Sequence, residues 1–158
     1  GLELSKPKNE LKNLTPNNSQ MFYNAHFRPK PKIKEGKILK EIGAICAMDI
    51  SDGLFSDLNK MLTASQIGAV INQSSVPIHP EISKVFPNSD FEMATNGGED
   101  YEILFGISSN KLDKVKSLLP ESHIIGKACS GEAGVIELIA DDKTYKLNRF
   151  NGWDHFRQ

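Results

Sequence analysis

The sequence predicts an α/β (α+β) domain, a mixed β-sheet with packed helices. Three observations carry this. The run "AICAMDI" at 44–50 is almost continuously apolar, as in a strand buried on both faces, and a helical pattern follows at once. Further short apolar runs alternate with helical stretches through residue 120. The last three runs, "HIIGKA", "GVIELIA" and "TYKLN", are divided by Gly- and Asp-rich turns, which predicts antiparallel strands in a meander.

Taken in order, residues 1–14 are polar and weakly patterned. Thr15 and Pro16 read as the N-cap and first residue of a helix with Met21, Phe22 and Ala25 on one face. Pro29 and Pro31 favour an extended "RPKPKIKEG". "KILKEIG" is a short helix with Ile38, Leu39 and Ile42 inward and Gly43 as its stop. After the 44–50 strand, Leu54, Leu58, Met61 and Leu62 recur at helical spacing, and Gly68 is expected to end that helix. "AVINQ" is a second strand and "YEILFGI" a third; 81–86 is a short helix and 87–98 is irregular. "SSNKLDKVKSLLP" is a helix capped by Ser108 or Ser109, with Leu112, Val115, Leu118 and Leu119 inward.

With 158 residues, 39% of them hydrophobic and 25% charged, the chain suits one domain with a real core. A net charge of −1 argues against nucleic acid as the main partner. No apolar stretch approaches the roughly 20 residues of a membrane span, and no signal peptide opens the chain. Cys46 and Cys129 lack metal-ligand spacing and read as reduced thiols of a cytoplasmic protein, Cys46 as a small core residue. The chain begins with Gly1, and we read it as a piece of something longer.

The stretch "DISDG" places Asp49 at the end of a strand and Ser51, Asp52 and Gly53 where a helix begins. Ligands of open α/β sheets gather beyond the carboxyl ends of strands. A helix N-terminus favours phosphate through its N–H groups and dipole, and Gly53 lets a ligand approach the backbone. Two carboxylates beside a phosphate make sense if Mg²⁺ lies between them. The structural alternative is that Ser51 or Asp52 is simply an N-cap. That leaves Asp49 as a buried charge, costly unless paired or metal-bound. From spacing alone both readings stand.

Two further groups can be read either way. In "NGGEDYEILF", Glu99 is either a carboxylate aimed into a site from a glycine turn or part of a solvated acidic loop. In "FNGWDHF", Trp153 with its aromatic neighbours is either core or lid packing or a stacking surface for a flat or cationic ligand. The basic residues Arg28, Lys30, Lys32, Lys34, Lys37 and Lys40 read as a solvated face that also steers anions. His26, His79 and His123 have no partners in sequence that make a metal or triad case. No nucleophile elbow, Walker A loop or kinase catalytic loop is present.

In order and spacing, "MDISDGLFSDL", "NGGEDYEILF" and "NGWDHF" resemble the C-terminal half of the thiamine-monophosphate kinase family, from about residue 24 to the end. "HFRPKPKIKEG" is similar to the segment linking that family's two domains. The resemblance implies a fold like the C-terminal domain of aminoimidazole ribonucleotide synthetase-like proteins. It divides the chain into 1–27, a remnant of the N-terminal domain and connecting helix, and 28–158, the C-terminal domain. It also implies transfer of the ATP γ-phosphoryl group to thiamine monophosphate, giving thiamine diphosphate, with Mg²⁺ as cofactor and a homodimeric full-length protein. Under it Asp49 and Asp52 bind Mg²⁺, Ser51 contacts ATP, and Glu99 and Trp153 bind the substrate; Asp100 receives no role. The family's N-terminal domain, with most acidic Mg²⁺ ligands, has no counterpart here, so this chain alone is expected to be inactive. The rival reading is a non-catalytic small-ligand or interaction domain of the same fold.

Overall fold

The computed structural model describes residues 16–147. Thr15 and Trp153 therefore lie outside the described residues, as do the segments 1–14 and 148–158. The described residues form two sheets rather than one. A two-stranded antiparallel ribbon pairs β1 (Cys46–Asp49) with β3 (Ile103–Gly106), setting Asp49 opposite Ile103. A four-stranded mixed sheet runs β4 (Gly126–Cys129), β2 (Gly68–Asn72), β5 (Ile136–Ala140), β6 (Lys143–Leu147). β2 is antiparallel to β4 and parallel to β5, while β5 and β6 form a hairpin whose turn holds Asp141 and Asp142 at positive φ. The expected meander is thus broken: β2 is inserted between β4 and β5.

Helix α3 (Leu54–Ser65) joins the two sheets. Its residues Leu54, Phe55, Leu58 and Leu62 meet Ala69, Ile71, Ile136 and Leu138 of the large sheet and Leu104 of the ribbon in one cluster. Each such side chain contributes roughly 1.5–3 kcal/mol on burial, so α3 is held by its tertiary face more than by propensity. Gln66, in the left-handed region, ends α3; Gly68 already belongs to β2. The segment expected to be irregular contains α5 (Asp90–Asn96), which packs on α3 through an edge-to-face contact of Phe91 with Phe55. The short α4 (Pro80–Val85) precedes it, with the His79 imidazole accepting the Glu81 N–H at its start.

β1 is not buried on both faces. Among the described residues it has a single strand neighbour, and its residues alternate, Cys46 and Met48 half-buried, Ala47 and Asp49 exposed. An apolar run need not be a central strand when it is only four residues long. α2 (Ile33–Ile42) starts earlier than expected, directly after Lys32, because Pro31 constrains only the residues before it and its own turn. Leu39 and Ile42 are buried, and Gly43 stops the helix at φ 80°. Of the expected inner face of α1 (Pro16–Phe27), only Phe22 is buried; Met21 and Ala25 are exposed. α6 (Leu112–Leu118) follows a 3₁₀ turn at Ser109–Lys111 without a serine side-chain cap. It buries Val115, and Leu118 is exposed.

Candidate functional site

The loop after β1 and the loop before β3 form one unit, because the ribbon continues past its regular strands. Ile50 N–H donates to the Glu102 carbonyl, Tyr101 N–H to the Ile50 carbonyl and Glu99 N–H to the Ser51 carbonyl, at 2.8–2.9 Å. "DISD" and "GGED", 47 residues apart (Ser51 to Gly98), are thereby set side by side. The close approach needs glycine twice. A Cβ on Gly98 would lie 2.6 Å from the Ser51 carbonyl oxygen. Gly53 has φ 108°, and a Cβ there would lie 3.0 Å from the Asn96 carbonyl at the end of α5. Gly53 is therefore required by the approach of α5 as well as by its own backbone, whatever ligand comes near.

Asp49, Ser51, Asp52 and Glu99 all fall in this loop pair, at the carboxyl end of β1. Asp49 is exposed, not buried, and its carboxylate has no hydrogen-bond or ion-pair partner among the described residues. The cost of a buried charge therefore does not apply to it. The buried carboxylate is that of Asp57, with no exposed surface. Its Oδ2 accepts the N–H of Ser51 at 2.8 Å and of Asp52 at 2.9 Å, and its Oδ1 accepts Lys60 Nζ at 2.7 Å. Three charge-assisted bonds make such a burial tolerable. The N-cap of α3 is Gly53, so neither Ser51 nor Asp52 caps the helix. The Ser51 and Asp52 amides, which lie ahead of α3, point to Asp57.

Lys60 also pairs with Asp52 Oδ2, so one ammonium is shared by two carboxylates. Desolvation opposes its charge, but the hydrogen bonds to Asp52 and Asp57 outweigh that and raise its pKa above the ordinary lysine value. Sequence reading missed Asp57 and Lys60. A signal for Asp57 was present: it lies three residues after Leu54 and four before Met61, a charge on the apolar face of an amphipathic helix.

Glu99 is exposed and has φ 65°. Its Oε2 lies 3.7 Å from Nε2 of His26 on α1, a neighbour that sequence distance concealed. Asp100 beside it is exposed as a residue, yet its carboxyl is pushed up to about 6, by loss of solvent around it and then by the Glu102 carboxylate. Lys32 is the one member of the basic stretch with an ion pair among the described residues, to Glu102 at 2.8 Å. Trp153, the remaining expected site residue, lies outside the described residues.

The donor set suits part of a Mg²⁺ site. This ion takes one or two protein carboxylates, with phosphate oxygens and waters completing its shell. Asp49 and Asp52 could supply two, and Lys60 shows that Asp52 already faces a cation. Among the described residues no group of three His, Cys, Asp or Glu side chains gathers, so these residues offer a share of a site rather than a closed one.

Residues 5–139 match the family model described as AIR synthase related protein, C-terminal domain. The chain belongs to this AIR synthase-related family. Within the family it is similar to thiamine-monophosphate kinases. Those of two Buchnera aphidicola strains, from Schizaphis graminum and Acyrthosiphon pisum, are 37% and 34% identical over 99% of this chain and 48% of their own length. The AIR synthase-related chain thus spans about half the length of the curated relatives it matches. Among solved structures, "AaThiL complexed with AMPPCP and TMP" is 27% identical with a TM-score of 0.73, covering 98% of this chain and 45% of that one.

Proposed function

We propose that this chain is the C-terminal domain of a thiamine-monophosphate kinase, an enzyme that transfers the γ-phosphoryl group of ATP to thiamine monophosphate and yields thiamine diphosphate. The observation that carries it is the hydrogen-bonded pairing of the Asp49–Asp52 loop with the Gly98–Glu102 loop. It joins the two acidic motifs into one surface, as a reaction between two phosphates requires. The similarity to a structure complexed with AMPPCP and TMP supports ATP and thiamine monophosphate as the ligands.

In this reading Asp49 and Asp52 hold Mg²⁺, which when bound would neutralise phosphate charge during transfer. Ser51 contacts ATP through its side chain, since its N–H and carbonyl are both engaged within the protein. Glu99, exposed at the edge of the loop pair, binds the thiamine part of the substrate, joined by Trp153. A carboxylate suits the cationic thiazolium or the amino group of the pyrimidine. Residues 1–27 are the remnant of an N-terminal domain with its connecting helix, and 28–158 the C-terminal domain. The missing domain supplies the remaining Mg²⁺ ligands, and the full-length protein is a cytoplasmic homodimer. Both cysteines are free, as that compartment favours.

The test is formation of thiamine diphosphate from ATP, Mg²⁺ and thiamine monophosphate. The full-length protein should turn over and this chain alone should not. In the full-length protein Asp49→Asn or Asp52→Asn should cost orders of magnitude in rate with the fold retained. Turnover unaffected by either substitution, or absent from the full-length protein, would remove the kinase reading in favour of a binding domain.

A further inference from the structure

We propose that Asp57 is the positioning residue of the Asp49–Asp52 loop, and that Lys60 is an internal cation which a divalent metal must displace from Asp52. The inference rests on the metal-binding reading of Asp49 and Asp52 given above, and adds to it how the loop is shaped and held before metal arrives.

The backbone carries the first half. A loop that binds phosphate directly turns its amides outward, as nests and helix N-termini do. Here the Ser51 and Asp52 amides turn inward, both to Oδ2 of a fully buried carboxylate. The Ile50 and Ser51 carbonyls are taken by Tyr101 and Glu99. Those bonds engage the Ser51 and Asp52 amides and the Ile50 and Ser51 carbonyls, so these four groups are turned away from a ligand, and the side chains of Asp49, Ser51 and Asp52 are the groups left to meet it. Such a surface is carboxylate-rich, so it meets a phosphate through a cation and not through amides. Asp57 does not touch the ligand; it sets the direction of the residues that do.

Lys60 carries the second half. It stands one turn along α3 from Asp57 and reaches both Asp57 Oδ1 and Asp52 Oδ2. Half-exposed, it can swing away from Asp52 without uncovering the core. Asp57 would keep its two backbone bonds when that happens. The side chains around Asp52 thus include a competitor for the metal, and removing it should tighten metal binding.

The probe is Mn²⁺ alone, titrated into the full-length protein and followed by the free-ion electron paramagnetic resonance signal. Asp52→Asn identifies which bound ion belongs to this loop, since that ion alone should be lost. Lys60→Met should then tighten that ion by about fivefold, the upper range for relief of an exposed ion pair. Asp57→Asn should weaken it by about tenfold or more, and amide hydrogen exchange at residues 51 and 52 should accelerate. Lys60→Met leaves Asp57 its two backbone bonds, and Lys60→Gln, which keeps a donor for Asp57 Oδ1 while removing the charge, serves as the second displacement variant, with a thermal melt beside each titration. Unchanged or weaker Mn²⁺ binding in Lys60→Met overturns the displacement, as does a wild type that binds no Mn²⁺ at this loop. Unchanged exchange and Mn²⁺ affinity in a folded Asp57→Asn overturns the positioning role. None of these readouts needs thiamine monophosphate, so failure of the kinase assay and failure of this inference are separable.

Discussion

Gly98 lies against Ser51: a methyl group at Gly98 would sit 2.6 Å from the Ser51 carbonyl oxygen. The obstacle is backbone, held by the Glu99 N–H bond and by Asp57 beneath, so it cannot swing aside. Gly98→Ala should part the two loops and destabilise the domain by about 1–3 kcal/mol, the usual range for overpacking. Urea unfolding of the variant checks the energy. Amide exchange at Glu99 should rise as its bond to Ser51 breaks. A variant of unchanged stability would mean that the loops separate freely.

Gly36 predicts the opposite sign. It lies inside α2, and a Cβ there would meet only the Ile103 side chain at 3.9 Å, an ordinary contact. Gly36→Ala should stabilise the chain by about 0.5–1 kcal/mol, since glycine loses more backbone entropy in a helix. Urea unfolding measures this. A loss of stability would show that something else needs the space at Gly36.

Asp100 gives a pH dependence. Its folded pKa, about 6, lies above the ordinary value of 3.8. Folding therefore disfavours its ionised form. The penalty is absent below the unfolded pKa, grows between about 4 and 6, and is complete above that, so this group lowers stability as pH rises. Asp100→Asn should flatten the fall in melting temperature across that window and leave the melt at the acid end unchanged. An identical pH profile in the variant would assign the slope to other groups.

Trp153 has a prediction that rests on chemistry alone, as it lies outside the described residues. In the full-length protein Trp153→Ala should raise the KM for thiamine monophosphate by about tenfold, equivalent to about 1.4 kcal/mol, and leave the KM for ATP nearly unchanged. Phenylalanine should restore most of the loss. A large fall in melting temperature with unchanged KM would make it a packing residue.

The sequence by itself determined the local elements whose cause is local. The Leu54–Leu58–Met61–Leu62 spacing dictates α3, Gly43 ends α2, and the turn at Asp141–Asp142 closes the β5–β6 hairpin. It also showed that Asp49 ends a strand and Asp52 precedes a helix, because that follows from the order of patterns along the chain. Partnership at a distance was decided only by tertiary structure. Pattern does not say which strands pair, so β2 between β4 and β5 and the separate β1–β3 ribbon were not legible. α5 was hidden because its seven residues are too few to display a helical period. Burial was reversed at the acids for the same reason. Asp49 in an apolar run is exposed because β1 has one strand neighbour among the described residues and this face is left uncovered by them, while Asp57 in a helix is buried because the loop it caps folds back over it. A side chain's type is written in the sequence; its solvent and its partners are set by which segments the fold lays beside it.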